Sequence, residues 1–533
     1  MVSNFGEIIR LPVHPILMAG IMVVTTLYFL APIFLRMWIS DQNGNTLPPG
    51  PPVRYPFLRK YPELALDYWA KKYGPLFSIW MGSQLFIVIS DPQIARDLLV
   101  AQGAVFSSRK QYFMKNQVIL RGRAITASEY GDKWRQHRRL ATQVLTPKAM
   151  QGFASIMEYE SHIFIKSLYE EGQKGGHPIN PAHYAGRFAL NNMLIISFGM
   201  RTDSATDPLV EKALVLAMEF MDLTGPWANL VDFFEPLQWI PTSKRSRGRN
   251  LHEGLMDVYG SMIRRFEARM DSGEDVPDCL VKTLIQSQEE EKKLDWDDLC
   301  MLSAVFTLGG VHSTSGIIQW FLALIPSHPK IAAKAYEELD RVVGRERWPN
   351  TEDEPNLPYI RAIIKEASKN IIVQRVHAPF WMATPHCTSQ GFTYKGNYIP
   401  KDTAVVLNCY TLHHNEKRYP DPFTFNPERY LGDDLSCAES AKLGNAMDRD
   451  HWTFGAGRRI CPGLPAAERE LWLAISRLLW AYTFHALPDE PISLEEYDGQ
   501  SGRTPLPYRL RMVPRLDNLP IILQEADEVK ISW

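Results

Sequence analysis

The most constraining stretch of this chain is His451-Trp452-Thr453-Phe454-Gly455-Ala456-Gly457-Arg458-Arg459-Ile460-Cys461-Pro462-Gly463. It is glycine-rich, ends in one cysteine, and runs directly into an apolar, helix-like segment. Gly455, Gly457 and Gly463 let a backbone pass close to something flat and bulky. Arg458 and Arg459 bring cations beside that object. Cys461 falls where the next helix starts, and a helix N-terminus lowers a thiol's pKa and favours the thiolate. A fold built on this loop must present one thiolate at its tip. A surface glycine loop before an ordinary buried cysteine would account for a bare Cys-Pro-Gly. It does not account for the whole pattern.

The pattern is Phe454, Gly457, Arg459, Cys461 and Gly463, and it resembles the haem-binding signature of the cytochrome P450 superfamily. The resemblance implies haem b with Cys461 as axial iron ligand, the thiolate favouring O–O cleavage. Those five residues are the first cofactor-binding candidates. Two more come from the basic run 131–139, where Trp134 and Arg138 stand four apart and so share one helix face. They resemble the family's WxxxR element, which faces a haem propionate. Lys133, Arg135 and Arg139 then face outward, where an acidic electron donor can dock. Without the resemblance, the same run reads as a solvated helix face.

The rest of the chain is compatible. Hydrophobic residues make 45% and charged residues 22% of 533, which predicts a packed body. A formal net charge of -2 gives no reason to expect nucleic-acid binding. The six cysteines are scattered without a CxxC pair, so neither a zinc site nor a disulfide framework is indicated. That usage fits a reducing compartment.

Pro15 to Leu35 is apolar and uncharged, long enough for a bilayer core of about 30 Å. A cleaved signal peptide would want a more basic start and a shorter apolar core. A retained single-pass anchor is therefore expected, with Arg36, Arg54, Arg59 and Lys60 keeping the body cytosolic. Leu47-Pro48-Pro49-Gly50-Pro51-Pro52 is a stiff spacer and resembles the hinge of microsomal members. The expected division is an anchor over 1–38, a hinge over 39–56 and a catalytic body over 57–533. The resemblance places the anchor in the endoplasmic reticulum membrane.

Helices are expected over Tyr61–Tyr73 and from Asp91 to Val100, with a hairpin over Leu76–Ile89 and a loop from Phe106 to Arg123. Residues 150–295 read as mostly helical, broken at Pro178, Pro226, Pro236 and Pro241. Trp227, Phe233, Phe234, Leu237 and Trp239 form an aromatic-rich patch, read first as core. In the family the same region often roofs the substrate channel and dips into the membrane. Asp297–Ile325 reads as one long buried helix stopped by Pro326. Paired glycines at its centre, Gly309 and Gly310, cost roughly 1 kcal/mol each against alanine. Either a ligand pressed on the helix or tight helix packing would repay that.

The following His312-Ser313-Thr314 resembles the family's oxygen-activation motif, with His312 where an acid is usual and Ser313 where threonine is usual. These three are the catalytic candidates. Ser313 offers a hydroxyl to hydrogen-bond oxygen. His312 is equally a proton relay or a satisfied core histidine.

Leu357 to Glu366 resembles the family's next helix, in which a glutamate pairs with arginines. Lys369 stands at the usual arginine position, and Arg375 is the other candidate partner. Phe425-Asn426-Pro427-Glu428-Arg429-Tyr430 resembles a PERF-like element whose Arg429 would complete a cluster with Glu366.

The implied fold is mostly α with a smaller β-rich part, the cytochrome P450 fold with an N-terminal transmembrane helix. The implied function is monooxygenation of a small apolar or aromatic secondary metabolite, by hydroxylation, oxidative coupling or ring closure. Phe306, Phe380, Trp381 and Met382 are candidate pocket residues. No flavin-sized region or Rossmann fingerprint is found. Electrons from NADPH would therefore come through a separate cytochrome P450 reductase. Membrane lipid and the small-molecule substrate complete the partners. An oxygen-independent haem-thiolate isomerase or dehydratase, and a haem-binding membrane protein without turnover, are the alternatives. Dependence on O2 and NADPH separates them.

Overall fold

Apolar residues at helical spacing build most of the protein, and short β-rich runs build one side of it. The computed structural model describes residues 15–55, 61–204, 206–225, 228–287, 294–369, 383–499 and 503–527. The expected mostly α fold with a smaller β part is what it shows. The first helix, Pro15–Trp38, is apolar, and its 21-residue stretch Met18–Trp38 has a mean hydropathy of 2.1 and is 6% buried. It is a candidate membrane anchor. Its last turn is tied to the body, because Arg36 donates to the carbonyls of Gly50 (2.6 Å) and Ser78 (3.0 Å).

Eight strands matter for the site: β1 (Arg54–Tyr55), β2 (Leu76–Met81), β3 (Gln84–Ile89), β4 (Ser108–Arg109), β5 (His386–Cys387), β6 (Phe392–Tyr394), β7 (Asn397–Ile399) and β8 (Ala404–Leu407). Six form one sheet in the order β1-β2-β3-β8-β5-β4, and β6 and β7 form a separate hairpin. The predicted β2–β3 hairpin turns at Gly82, whose φ of +52 suits glycine. At the far edge, β4 pairs antiparallel with β5 and sets Arg109 opposite His386. A distant segment of chain is thus held beside the cysteine loop.

The helix expected over Tyr61–Tyr73 spans Pro62–Tyr73. Asp91 caps Pro92–Ala95 through Ile94 N (2.9 Å), but the chain then widens into a π-helical turn, Arg96–Ala101. The expected loop over Phe106–Arg123 contains another π-helical segment, Phe113–Ile119. Such π turns come with hydrogen bonds five residues apart, which a 3.6-residue pattern does not register.

The central helix, Trp296–Leu324, matches its expected span within a residue at each end and is capped by Asp295. It is apolar enough to cross a membrane but 78% buried, so it is a core helix. One large apolar cluster takes its first half, from Leu299 to Val311, and a second takes Ile317 to Leu324. Between them lies the hydroxyl-bearing segment 312–316. The helix thus joins two cores and exposes its polar centre at the seam.

Of the aromatic patch, Phe233 is core at 1% exposure, whereas Trp239 is 88% exposed. The core reading holds for the first and fails for the second. Trp227 lies outside the described residues.

Candidate active site

Cys461 sits at the foot of the helix Leu464–Ala481, and its N–H donates to the Phe454 carbonyl (2.9 Å), closing the loop. The other five cysteines are buried, and Cys461 alone is exposed. It opens onto a cavity that also takes in the central helix, β4, the 112–127 wall and the turn before β5. Burial pushes its thiol up from the ordinary value, while the Gly463 N–H and Arg138 pull it down. The helix-terminal effect expected from the sequence is present as the Gly463 N–H, acting against the desolvation around the sulfur. A bound metal would remove the proton outright.

The loop's two arginines differ. Arg459 donates to the carbonyls of Ser107 (2.7 Å), Ile125 (2.9 Å) and Ser128 (2.7 Å), and lies 4.1 Å over the Trp134 ring. Arg458 is exposed and donates to the Tyr130 hydroxyl (2.6 Å). Trp134 Nε1 donates to the same Ile125 carbonyl (3.1 Å), so it braces the wall and does not line the cavity. Arg138 lines the cavity and donates to the Ile460 carbonyl (2.5 Å).

Gly455 lines the cavity, but Gly457 does not. At Gly457, with φ of +62, an added Cβ would lie 2.0 Å from the Leu99 carbonyl oxygen. Its close approach is therefore to protein backbone and not to a flat ligand, which corrects that expectation. Gly463 has an ordinary φ of −79 and packs beside the sulfur, its Cβ position 3.8 Å from Sγ.

On the central helix, Val305, Gly309, Ser313 and Ile317 recur every four residues and line the cavity with Thr314. His312 falls off this stripe and does not line it. The proton-relay reading of His312 at the cavity is corrected by that helical phase. The Ser313 hydroxyl donates to the Gly309 carbonyl (2.8 Å). The paired glycines have separate reasons. An added Cβ on Gly310 would meet Met193 Sδ at 2.2 Å, so helix packing requires it. Gly309 has nothing within 4 Å and leaves cavity space. Each expected explanation applies to one glycine.

Sequence reasoning missed four residues. Glu470, nine residues after Cys461, is 1% exposed, and burial pushes its carboxyl up to about 8 against the Thr314 hydroxyl beside it. Burial thus favours its neutral form. Its place one residue before the apolar run Leu471–Ile475 was the available signal. Arg449 donates to the His451 (2.7 Å) and Gly455 (2.6 Å) carbonyls and stacks on Trp452, bracing the loop from behind. Arg109 and Lys115 line the cavity; nothing periodic marks either in sequence.

Five cations line the cavity, Arg109, Lys110, Lys115, Arg138 and Arg459, with no carboxylate among the lining residues. Burial and the neighbouring Arg138 hold Arg109 down to about 9. Burial, Arg109 and Arg138 hold Arg459 down to about 8. Such uncompensated like charge fits a ligand that brings its own anions, as haem does with two propionates beside its iron. The thiol, the cations and an apolar lining of Phe220, Met221, Val305 and Ile317 suit that group.

Cys437, Asp450 and His451 form a second group of possible ligand atoms, within 4.8 Å of one another. Cys437 Sγ lies 3.3 Å from His451 Nε2. All three are buried behind the loop and none lines the cavity.

Glu366 and Arg429 meet as expected. Arg429 Nε donates to Glu366 Oε1 (3.2 Å), and its other nitrogens take the carbonyls of Pro420, Asp421 and Thr424. Arg375, Phe380, Trp381, Met382 and the Lys369 side chain lie outside the described residues. Outward on the basic helix, Asp132–Gln143, Lys133 pairs with Asp298 (2.7 Å) and Arg135 with Asp132, while Arg139 is exposed.

A porphyrin bound here would rest on one thiolate, with cations for its carboxylates and a hydroxyl-bearing helix beside it. The protein is thus of the haem-thiolate class. Residues 48–512 match the cytochrome P450 family model, and the chain belongs to that family. It is similar to the cytochrome P450 monooxygenase verL of Clonostachys rogersoniana, at 32% identity over 84% of this chain and 83% of that one. It is also similar to the monooxygenase polD of Polytolypa hystricis, at 29% over 94% and 96%. Cytochrome P450 2F2 of Rattus norvegicus is 29% identical over 93% and 99%. The chain is a cytochrome P450 monooxygenase, and haem is its cofactor.

Proposed function

We propose that Cys461 is the axial ligand of haem b and that the enzyme oxidises a small apolar or aromatic secondary metabolite. Electrons come from NADPH through a separate cytochrome P450 reductase. The observation that carries this reading is the single open thiol among six, facing a cavity walled by cations. The bound haem activates dioxygen for insertion into a substrate bond. The chain's own residues do the rest. Arg138 and Arg109 hold the propionates, and Arg459 keeps the loop against the 107–128 segment. Phe454, Gly455 and Pro462 form the surface against which the macrocycle lies. Phe220, Met221, Val305 and Ile317 exclude water from the reacting bond.

Ser313 and Thr314 handle the proton. Ser313 turns its hydroxyl from the Gly309 carbonyl toward the cavity, and Thr314 lines the cavity with the buried Glu470 carboxyl near it. His312 has no part in this. Residues 1–38 form the anchor in the endoplasmic reticulum membrane, 39–56 the hinge and 57–533 the cytosolic body. The exposed Trp239 and Ile240 meet the same membrane. The reductase docks beside Arg139 of the basic helix and Arg458 of the cysteine loop, both of them exposed cations.

The reduced, carbon-monoxide-bound difference spectrum tests the reading. A red-shifted Soret band in the wild type that is absent in Cys461→Ser is expected. A band that persists in Cys461→Ser overturns the ligand assignment.

A further inference from the structure

The cations of the cavity are not equivalent. Arg459 spends its guanidinium on three carbonyls, Arg138 donates to Ile460, Arg109 to Thr384, and Lys110 to Asp402 (2.8 Å). The Lys115 ammonium forms no hydrogen bond or ion pair with any described residue, and Arg109 is its one charged neighbour of consequence. Burial, with Arg109 beside it, holds Lys115 down to about 8, so it remains a cation at neutral pH. Two hydroxyls on the same 112–126 wall are also unspent. Tyr112 Oη and Thr126 Oγ1 are buried without a partner among the described residues, although both side chains line the cavity. Burial raises the Tyr112 hydroxyl well above its ordinary value, so it stays a donor.

The wall is fixed. Met114 N donates to Asp232 (2.8 Å), and Asn116 ties Tyr112 N (3.1 Å) to the Ala127 carbonyl (2.9 Å). Charge counting gives the same direction. Ferric porphyrin and thiolate cancel, Lys110 is bonded at the exposed rim, and two propionates leave two of the other four described cations uncompensated. A buried surplus of that kind is costly until an anion arrives.

We propose that Lys115, with the Tyr112 and Thr126 hydroxyls, holds the carboxylate of an acidic substrate, so that this enzyme prefers carboxylic acids to their neutral esters. The proposal rests on the haem-thiolate reading above. Lys115 is a specificity residue and does not touch the bond being oxidised. A haem propionate is the rival source of the same carboxylate chemistry. Arg109 and Arg138 are the better match for that role, because Arg109, Arg138 and Arg459 repel one another as one cluster while Lys115 couples to Arg109 alone.

The test uses the haem-loaded full chain and a series of ω-(imidazol-1-yl)alkanoates of increasing length, each beside its methyl ester. The imidazole ligates iron, which reports binding as a Soret shift whatever the natural substrate is. For at least one length the acid should bind about tenfold or more tightly than its ester, the size of one charge-assisted hydrogen bond. Lys115→Met should erase that preference without changing ester affinity or the haem-to-protein ratio, and Lys115→Arg should restore it. No acid preference at any length, or a preference that survives Lys115→Met, overturns the proposal. A fall in haem content in Lys115→Met also overturns it, assigning Lys115 to a propionate. Absence of the carbon-monoxide Soret band in the wild type would instead overturn the haem-thiolate reading itself.

Discussion

The cysteine loop and the 109–127 wall face one cavity, yet they treat their polar groups in opposite ways. In the loop, Arg459 makes three backbone hydrogen bonds, Arg449 makes two, and Cys461 N–H closes onto Phe454. On the wall, Lys115, Tyr112 and Thr126 leave their polar ends unspent among the described residues. A region whose donors are all committed holds one geometry. A region that keeps donors in reserve has them available for a ligand. The difference separates what the fold needs in order to hold a cofactor from what selects a substrate.

The sharpest way to break that contrast is to remove the commitments on the loop side. Arg459→Leu strands the buried carbonyls of Ser107 and Ser128, each costing about 1–3 kcal/mol when left unmade, and leaves Ile125 with Trp134 alone. The variant should be recovered with little or no thiolate-ligated haem, measured as haem per protein and as the carbon-monoxide band. Full haem loading would show that the loop holds without its clamp. Glu366→Ala comes next. It leaves Arg429 with a buried charge and no described carboxylate, at a cost of about 3–5 kcal/mol. A lowered thermal midpoint with haem loss is expected, and an equally stable, fully loaded variant would remove the pair from the scaffold.

How much was legible in the sequence follows the same division. The loop could be read because its constraints are local and sit at fixed spacing from Cys461. Glu366 and Arg429 could be read for the same reason, each within its own motif. Lys115 could not, because its position depends on a π-helical turn and on β4 pairing with a strand almost three hundred residues away. The two readings of His312 could not be separated in sequence, since a motif gives order along the chain but not which residue faces the cavity. Gly457 failed differently. Its close approach was implied, but the object it approaches, the Leu99 carbonyl, belongs to another turn.

Glu470 sharpens the comparison through pH. Its folded-state pKa of about 8 lies above the ordinary carboxyl range near 4.5, so the folded protein binds its proton more tightly. Between those values the folded state carries more protons than the unfolded one, and stability falls as pH rises. Above about 8 the contribution is flat. Glu470→Gln should remove this decline, so its thermal midpoint should match the wild type near pH 4.5 and exceed it near pH 8. Parallel pH profiles for the two proteins would show that the carboxyl is not buried as a neutral acid.

The smallest effects come from two adjacent glycines that carry the contrast within one helical turn. Gly310→Ala drives a methyl toward Met193 Sδ, 2.2 Å from the Cβ position, and overpacking of this kind costs typically about 1–3 kcal/mol. Gly309→Ala meets no atom within 4 Å and gains helix propensity of up to about 1 kcal/mol. The first should lower the thermal midpoint and leave ligand affinity nearly unchanged once folded. The second should hold or raise the midpoint while weakening Soret-shift binding of bulky ligands, because its methyl enters the cavity and frees no contact elsewhere. If Gly309→Ala bound such ligands as the wild type does, the substrate would not approach the central helix at Gly309. The seam between the two cores would then serve packing alone.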